Sequence, residues 1–302
     1  QQSKGDFLGF VKQMAPMLVS DFKMGKHIEV ISDKLQKILD GDIKRLMVFL
    51  PPRSSKSVIC SKLFPAWYIG QNPNHEILTV SHSDQLSSDF GRVVRDIVNS
   101  EDFQNIFSGV SLRQDVRAAG KWQTNQKGSY YAAGVRSQIA GRGAHIAILD
   151  DVMSEEDSFS AAGRRYVKEW WPSGLRTRIM PNGSIVIINT RYHHDDLCGW
   201  LLKQEQEMHD YGTIPWEVIK IPAWVDEDNC TGCQACVPFC PVDCIESVPK
   251  DKYDIPIPPV QIRFDECIGC VVCARVCTKM TWDAIRMIDT DTFEELYGTE
   301  IS

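Results

Sequence analysis

The stretch LMVFLPPRSSKS, residues 46–57, decides the fold of the larger part of the chain. Leu46 to Leu50 is a short apolar run with the character of a buried strand. It leads directly into Pro51-Pro52-Arg53-Ser54-Ser55-Lys56-Ser57 and a helix expected from Ser57. A polar turn ending in Lys-Ser between strand and helix is where backbone N–H groups wrap phosphates, the Lys reaches the terminal ones and the Ser hydroxyl binds Mg²⁺. Pro52, Arg53, Ser54, Ser55, Lys56 and Ser57 therefore form a candidate nucleotide-binding loop. Both glycines of the usual pattern are missing, so the turn alone also reads as an ordinary polar connection. A second element, HIAILDD at 145–151, is a buried strand closed by two carboxylates. Asp150 is placed to hold Mg²⁺ through water and Asp151 to polarise an attacking water. An Asp pair after a strand is by itself often a helix cap; the two elements in order favour the nucleotide site.

Outward from these elements, strand and helix alternate. Upstream, Ile28, Ile31, Leu35 and Ile38 repeat at helical spacing and Gly41-Asp42 is a stop signal. Ile77 to Val80 reads as a strand, and Ser83 caps a helix carrying Leu86, Phe90, Val93, Val94 and Ile97 on one face. KWQTNQKGSYYAAGV reads as a hairpin around Gln126-Lys127-Gly128. After the turn Pro181-Asn182-Gly183 comes the buried strand SIVIINT, and RYHHDDLCGWLLKQ is a loop entering a helix. The expected domain is α/β, a mostly parallel sheet flanked by helices, and such sheets hold ligands at the C-terminal ends of their strands.

Composition changes across Pro222 to Asn229, which places the domain boundary there and predicts domains at 1–227 and 228–302. Nine of the 11 cysteines fall between Cys230 and Cys277. Cys230-x₂-Cys233-x₂-Cys236-x₃-Cys240-Pro241 recurs as Cys267-x₂-Cys270-x₂-Cys273-x₃-Cys277. In this spacing the fourth cysteine of each run serves the cluster of the other. One 4Fe–4S cluster is expected on Cys230, Cys233, Cys236 and Cys277, and a second on Cys240, Cys267, Cys270 and Cys273. Zinc is the alternative, but two interleaved runs exceed what a tetrahedral ion needs. Cys244 is left over and is read as a buried free thiol.

At 302 residues with 43% hydrophobic content, the chain is long enough for one large and one small core. No apolar run reaches the roughly 20 residues of a membrane span, and QQSKGDFLGF has no signal-type region. A cytoplasmic protein with no membrane contact is expected, and the missing Met before Gln1 points to a fragment. The net charge of −7 lies wholly in residues 228–302, which hold 13 Asp/Glu and 6 Lys/Arg. An acidic tail suits a basic redox partner better than DNA.

PPRSSKS, GRGAHIAILDD and NTRYHHDDLCGWLL, in that order, resemble the motifs of tailed-phage terminase large subunits over about residues 15–227. The resemblance implies a P-loop NTPase motor that hydrolyses ATP with Mg²⁺ to drive double-stranded DNA, partnered by a portal and a small terminase subunit. It implies that Lys56 contacts the β- and γ-phosphates, that Ser57 and Asp150 hold Mg²⁺, and that Asp151 orients the water. Asn189, Thr190 and Arg191 would couple hydrolysis to movement. Arg142 is the candidate finger for γ-phosphate charge, with Arg136 and Arg53 as alternatives. His193-His194-Asp195-Asp196 is absorbed by the same motif rather than read as a metal site. Ser55 departs from the family's glycine, where a left-handed backbone costs an L-residue roughly 1–2 kcal/mol.

The cysteine-rich part resembles bacterial-type ferredoxins over residues 228–288, implying a small α+β ferredoxin-like domain. It departs from them in a longer gap between the runs and in Thr278 after the last ligand. A complete packaging enzyme carries a nuclease domain where this domain stands, so DNA cleavage is not expected. Three readings remain: a packaging ATPase carrying a redox module, an electron carrier with a passive ATPase half, and a fusion of two unrelated genes.

Overall fold

The computed structural model describes residues 2–50, 54–137, 139, 141–207, 214–220, 223–227, 229–249, 252, 257–264, 266–280 and 283–287. Pro51, Pro52 and Arg53 lie outside them, so the placement of that half of the candidate loop is not described. The chain divides into two compact units. The larger comprises residues 1–48, 55–189 and 197–219, and the smaller comprises 49–54, 190–196 and 220–302.

Eight strands build the sheet of the larger unit: β1 (Arg45–Phe49), β2 (Glu76–Ser81), β3 (Leu112–Ala118), β4 (Lys121–Thr124), β5 (Ser129–Gly134), β6 (Ala144–Asp150), β7 (Ile179–Asn189) and β8 (Glu217–Lys220). Their order across the sheet is β3-β4-β5-β2-β6-β7-β1-β8. β5, β2, β6 and β7 run parallel, with Ser81 opposite Gly134, Val80 opposite Leu149 and Asp150 opposite Ile188. Continuous apolar runs form these strands because both sheet faces are covered; Ile146 to Leu149 and Ile185 to Ile188 are all buried. β3 and β4 add antiparallel strands at one edge, and the β4–β5 hairpin turns at Lys127, whose φ is 71°. The Pro181-Asn182-Gly183 turn expected before β7 lies inside it. The register shifts between Ala144 and Ile146, so these residues form a bulge in a longer strand rather than its start.

Helices α1 (Gln2–Gly5), α2 (Phe7–Leu18), α3 (Lys26–Asp40), α4 (Phe64–Gln71), α5 (Asp84–Val98), α6 (Glu101–Ile106), α7 (Glu155–Phe159), α8 (Ala161–Trp170) and α9 (Leu197–Glu207) complete the layers. α3 buries Ile28, Ile31, Leu35 and Ile38 and ends on Gly41 at φ 89°, a left-handed C-cap. Ser83 caps α5 by accepting from the Leu86 N–H. The helix expected at Ser57 starts at Lys56, takes π-helical geometry over Val58–Leu63, and continues as α4.

In the smaller unit, β9 (Ala223–Val225) pairs with β12 (Ile285–Met287), and β10 (Ile245–Ser247) with β11 (Val260–Ile262), all antiparallel. Helix α10 (Val272–Lys279) carries the last two cysteines. Because β9 is one of its strands, this domain begins before residue 228. Among the described residues no helix is long and apolar enough to cross a membrane.

Candidate functional site

The parallel pairing brings the ends of β2, β5, β6 and β7 to one edge of the sheet. β7 lies between β6 and β1, which puts Asn189 between the carboxylate-bearing strand and the strand that feeds the Lys56 turn. Asp150 is 1% exposed and Lys56 7%. The Ser61 hydroxyl donates to Asp150 Oδ2 at 2.5 Å, and the Ser57 hydroxyl hydrogen-bonds the same carboxylate. Lys56 is close enough to lower the Asp150 pKa by its charge. The helix after the turn thus aims two hydroxyls at one carboxylate. Ser57 and Asp150 are hard oxygen donors side by side, a set that fits Mg²⁺.

Burial and the neighbouring Asp151 charge push the Asp150 carboxyl up from its ordinary 3.8 to about 6, against the two serines and Lys56. A cation in the site reverses that cost. Asp151 has φ 44°; its N–H donates to Ile188 O at 2.9 Å, and its carbonyl accepts from the His82 N–H at 3.1 Å. The His82 ring nitrogen Nδ1 also lies 3.1 Å from that carbonyl. Asp151 is therefore gripped from both neighbouring strands by its main chain. Sequence reading missed Ser61 and His82. Ser61, four residues beyond Ser57 on one helix, and His82, just after a strand, are the signals that were available.

Ser55 has φ 63°, the left-handed backbone that the missing glycine implied, and its carbonyl accepts from the Ile59 N–H at 3.0 Å. Arg142 is not brought to this edge. It precedes β6, and the six residue steps from Ala144 to Asp150 span about 20 Å. Its guanidinium lies 4.7 Å from the Tyr131 ring centroid, beside a cavity lined by Glu76, Lys121 and Ser129 at the opposite end of the strands. Arg136 follows β5 on the nucleotide edge, where it pairs with Asp157 at 3.2 Å and covers the Tyr166 ring.

In the smaller unit Thr190 and Arg191 are buried. Arg191 grips Asp196 through two hydrogen bonds of 2.9 Å, donates to His194 O, and lies over the Phe49 ring. These contacts make Arg191 a structural tie within its loop. Asp196 is held by Arg191 and His193 Nδ1 accepts from the Asp195 N–H, so the HHDD run has no shared focus; among the described residues no three His, Cys, Asp or Glu converge on a single metal position.

The cysteines gather into two cavities. Cys230, Cys233, Cys236 and Cys277 line one, and Cys240, Cys267, Cys270 and Cys273, with Cys244, line the other. Each set takes three cysteines from one run and the fourth from the other. Each fourth cysteine accepts an N–H: Cys240 from Cys244 at 3.4 Å and Cys277 from Ala284 at 3.2 Å. The first cysteine of each run accepts from a strand of the other repeat, Cys230 from Val260 and Cys267 from Ala223, both at 3.4 Å. Four thiols around each cavity, with N–H donors aimed at the sulfurs, fit the ligand demand of a four-iron cluster. The Cys244 hydrogen bond holds Cys240 and Cys267 down to about 6, whereas burial pushes Cys236 and Cys270 up to about 11. A cluster held by the latter pair would have to displace their protons.

Residues 229–280 match the family described as 4Fe–4S dicluster domain. The chain is 32% identical over 79 residues to the pyruvate synthase subunit PorD of Methanothermobacter marburgensis, covering 26% of this chain and 82% of that protein. It is 31% identical over 98 residues to an H(2):CoB-CoM heterodisulfide,ferredoxin reductase subunit of Methanothermobacter thermautotrophicus, covering 28% of this chain and 15% of that protein. Among solved structures, the HK97 bacteriophage large terminase is similar with a TM-score of 0.44 at 12% identity, covering 67% of this chain and 40% of that one. The large terminase of the thermophilic bacteriophage D6E, in complex with ADP, has a TM-score of 0.34 at 12% identity, covering 62% and 44%. The chain thus spans less than half the length of either terminase, and about a seventh of the heterodisulfide reductase protein.

Proposed function

The chain belongs, through residues 229–280, to the 4Fe–4S dicluster family, and from that premise we propose that it joins an electron-carrying domain to a Mg²⁺-dependent ATPase. The observation that carries the ATPase half is the convergence of Lys56, Ser57, Ser61 and Asp150 at one end of the parallel sheet. Lys56 there neutralises terminal phosphate charge, and the Ser57 hydroxyl and Asp150 carboxylate hold the cation. Bound Mg²⁺ supplies charge stabilisation at the phosphates. Asp151, fixed by its main chain to β2 and β7, orients the hydrolytic water, and Asn189 stands between phosphate loop and carboxylates to sense the difference between ATP and ADP.

In the other half, Cys230, Cys233, Cys236 and Cys277 hold one cluster and Cys240, Cys267, Cys270 and Cys273 the second; when bound, they supply one-electron transfer. The acidic charge of residues 228–302 favours a basic redox partner. By the motif resemblance alone, hydrolysis serves movement of double-stranded DNA in the cytoplasm, and the partners are a portal and a small terminase subunit. The test is Mg²⁺-dependent release of phosphate from ATP by the purified chain, with and without double-stranded DNA. Lys56→Ala should abolish it, and wild-type turnover by that variant removes the site assignment.

A second reading, an electron carrier with a passive ATPase half, is favoured by one observation: both cysteine sets are complete, while the phosphate loop places Ser55 at φ 63° where a glycine is suited. Cluster-dependent reduction of an acceptor dye without any ATP turnover is the outcome that selects it.

A further inference from the structure

The two cysteine cavities occupy equivalent places in the internal repeat but differ in what closes them. Cys230-Thr231-Gly232-Cys233-Gln234 and Cys267-Ile268-Gly269-Cys270-Val271 share one backbone: Gly232 and Gly269 have φ 67° and 66°, and Gln234 and Val271 have φ 54° and 68°. On that shared backbone the first loop carries exposed polar side chains, Thr231 and Gln234. The second carries Ile268, 8% exposed, and the half-buried Val271 in the same positions. Each pair lines its own cavity. The sulfur follows its loop: Cys233 is exposed, alone among the 11 cysteines, whereas Cys270 is half-buried. A β-branched residue is poorly suited to left-handed backbone, so Val271 keeps an apolar side chain at the second cavity against its local preference. An apolar shell keeps water and approaching molecules from a metal centre, and a polar, open loop admits them. Between the cavities, Cys236 and Cys273 are buried in one core, near enough for charge on one sulfur to act on the other.

From this asymmetry we propose that residues 231–235 are the electron port of the chain: an external one-electron redox protein exchanges through Cys233 with the first cluster, and the second is reached only through Cys236 and Cys273. The inference rests on the cluster assignment above and adds the route that electrons take. In each exchange one electron leaves the external donor, which is oxidised, and the first cluster is reduced. A further transfer, past Cys236 and Cys273, reoxidises the first cluster and reduces the second. No bond forms or breaks and no proton moves. The partner therefore carries its own redox centre close to its surface and meets a polar, uncharged loop with Thr231 and Gln234 at the rim. Ile268 and Val271 take no part in that contact.

The experiment reads iron per chain and the hyperfine-shifted proton resonances of the cysteine β-carbons in the anaerobically reconstituted full chain. A freely diffusing gadolinium chelate broadens those protons that lie near solvent. The resonances lost in Cys233→Ser and in Cys270→Ser identify the two residues. Wild type should hold about eight iron atoms, and the chelate should broaden the Cys233 resonances while those of Cys270 stay sharp. Thr231→Ile/Gln234→Val, which copies the second loop, should abolish the broadening at Cys233. It should also slow oxidation of the reduced chain by hexaammineruthenium(III), a one-electron acceptor. Ile268→Thr/Val271→Gln should instead make the Cys270 resonances sensitive to the chelate. Where a variant fails to hold iron, the wild-type comparison decides alone. Iron near the expected content with equal broadening at the two cysteines, or with stronger broadening at Cys270, overturns the proposal. A wild type without iron removes the cluster assignment, and the proposal with it.

Discussion

Ser61 Oγ donates a 2.5 Å hydrogen bond to Asp150 Oδ2, between two side chains that are 0% and 1% exposed. A π-helix opening at Val58 brings that hydroxyl to a carboxylate 89 residues away. Single-turn π geometry recurs at functional sites because it re-aims a side chain without breaking the helix. Ser61 is thus a positioning residue for Asp150. Hydrogen bonds to charged groups contribute about 1.5–3 kcal/mol, so Ser61→Ala should lower kcat for ATP by roughly ten- to a hundredfold. The Mg²⁺ concentration for half-maximal rate should rise, and Ser61→Thr should restore it. An unchanged Mg²⁺ dependence in Ser61→Ala rules out the positioning role.

Asp150 is costly to the metal-free protein. Its folded pKa, raised by burial to about 6, means that the native state holds the proton more tightly than the unfolded chain. The associated stability is present below the ordinary carboxylate range and is lost as pH rises through about 6. At 1.36 kcal/mol per pH unit, the cost above that pH is about 3 kcal/mol. In EDTA at pH 7, Asp150→Asn should therefore be more resistant to denaturant than wild type, and the difference should vanish near pH 4. Adding Mg²⁺ and nucleotide should stabilise wild type only. An Asp150→Asn protein weaker than wild type at pH 7 contradicts this.

Ser55 holds a left-handed backbone at φ 63°, which costs a non-glycine residue about 1–2 kcal/mol. Ser55→Gly removes that strain where the loop must present N–H groups to phosphate. Tighter nucleotide binding, read by calorimetry, and a higher melting temperature are expected; unchanged values in both show that the strain is relieved elsewhere.

The Arg191–Asp196 pair is buried, with side chains 7% and 1% exposed. Removing one partner of such a pair leaves an uncompensated buried charge and costs about 3–5 kcal/mol. Asp196→Ala should lower the denaturant midpoint accordingly. A variant as stable as wild type would show that Arg191 finds another anion or reaches water.

Much of this was legible without coordinates because it depends on short-range rules. The strand-turn-helix at Leu46 to Ser57 and the strand at His145 to Asp151 follow from local runs of apolar residues. The left-handed Ser55 follows from a glycine that is missing. The partition of eight cysteines between two cavities follows from two runs of equal spacing. The π-helix at Val58 and the bulge at Pro181 to Gly183 were not legible, since each is a local deviation from a regular element that the same residues also permit.

The sequence by itself determined the alternation of buried strands and helices, the cysteine framework, and the backbone type at Ser55, each through residues a few positions apart. Only the tertiary structure decided which end of the sheet each loop occupies. It set Ser61 and His82 against the two aspartates, carried Arg142 to the far end over Tyr131, and put the Cys244 sulfur against Cys240. Strand order and register arise from pairing between segments tens of residues apart. A side chain's neighbours across that pairing are therefore properties of the assembled sheet and of no local pattern.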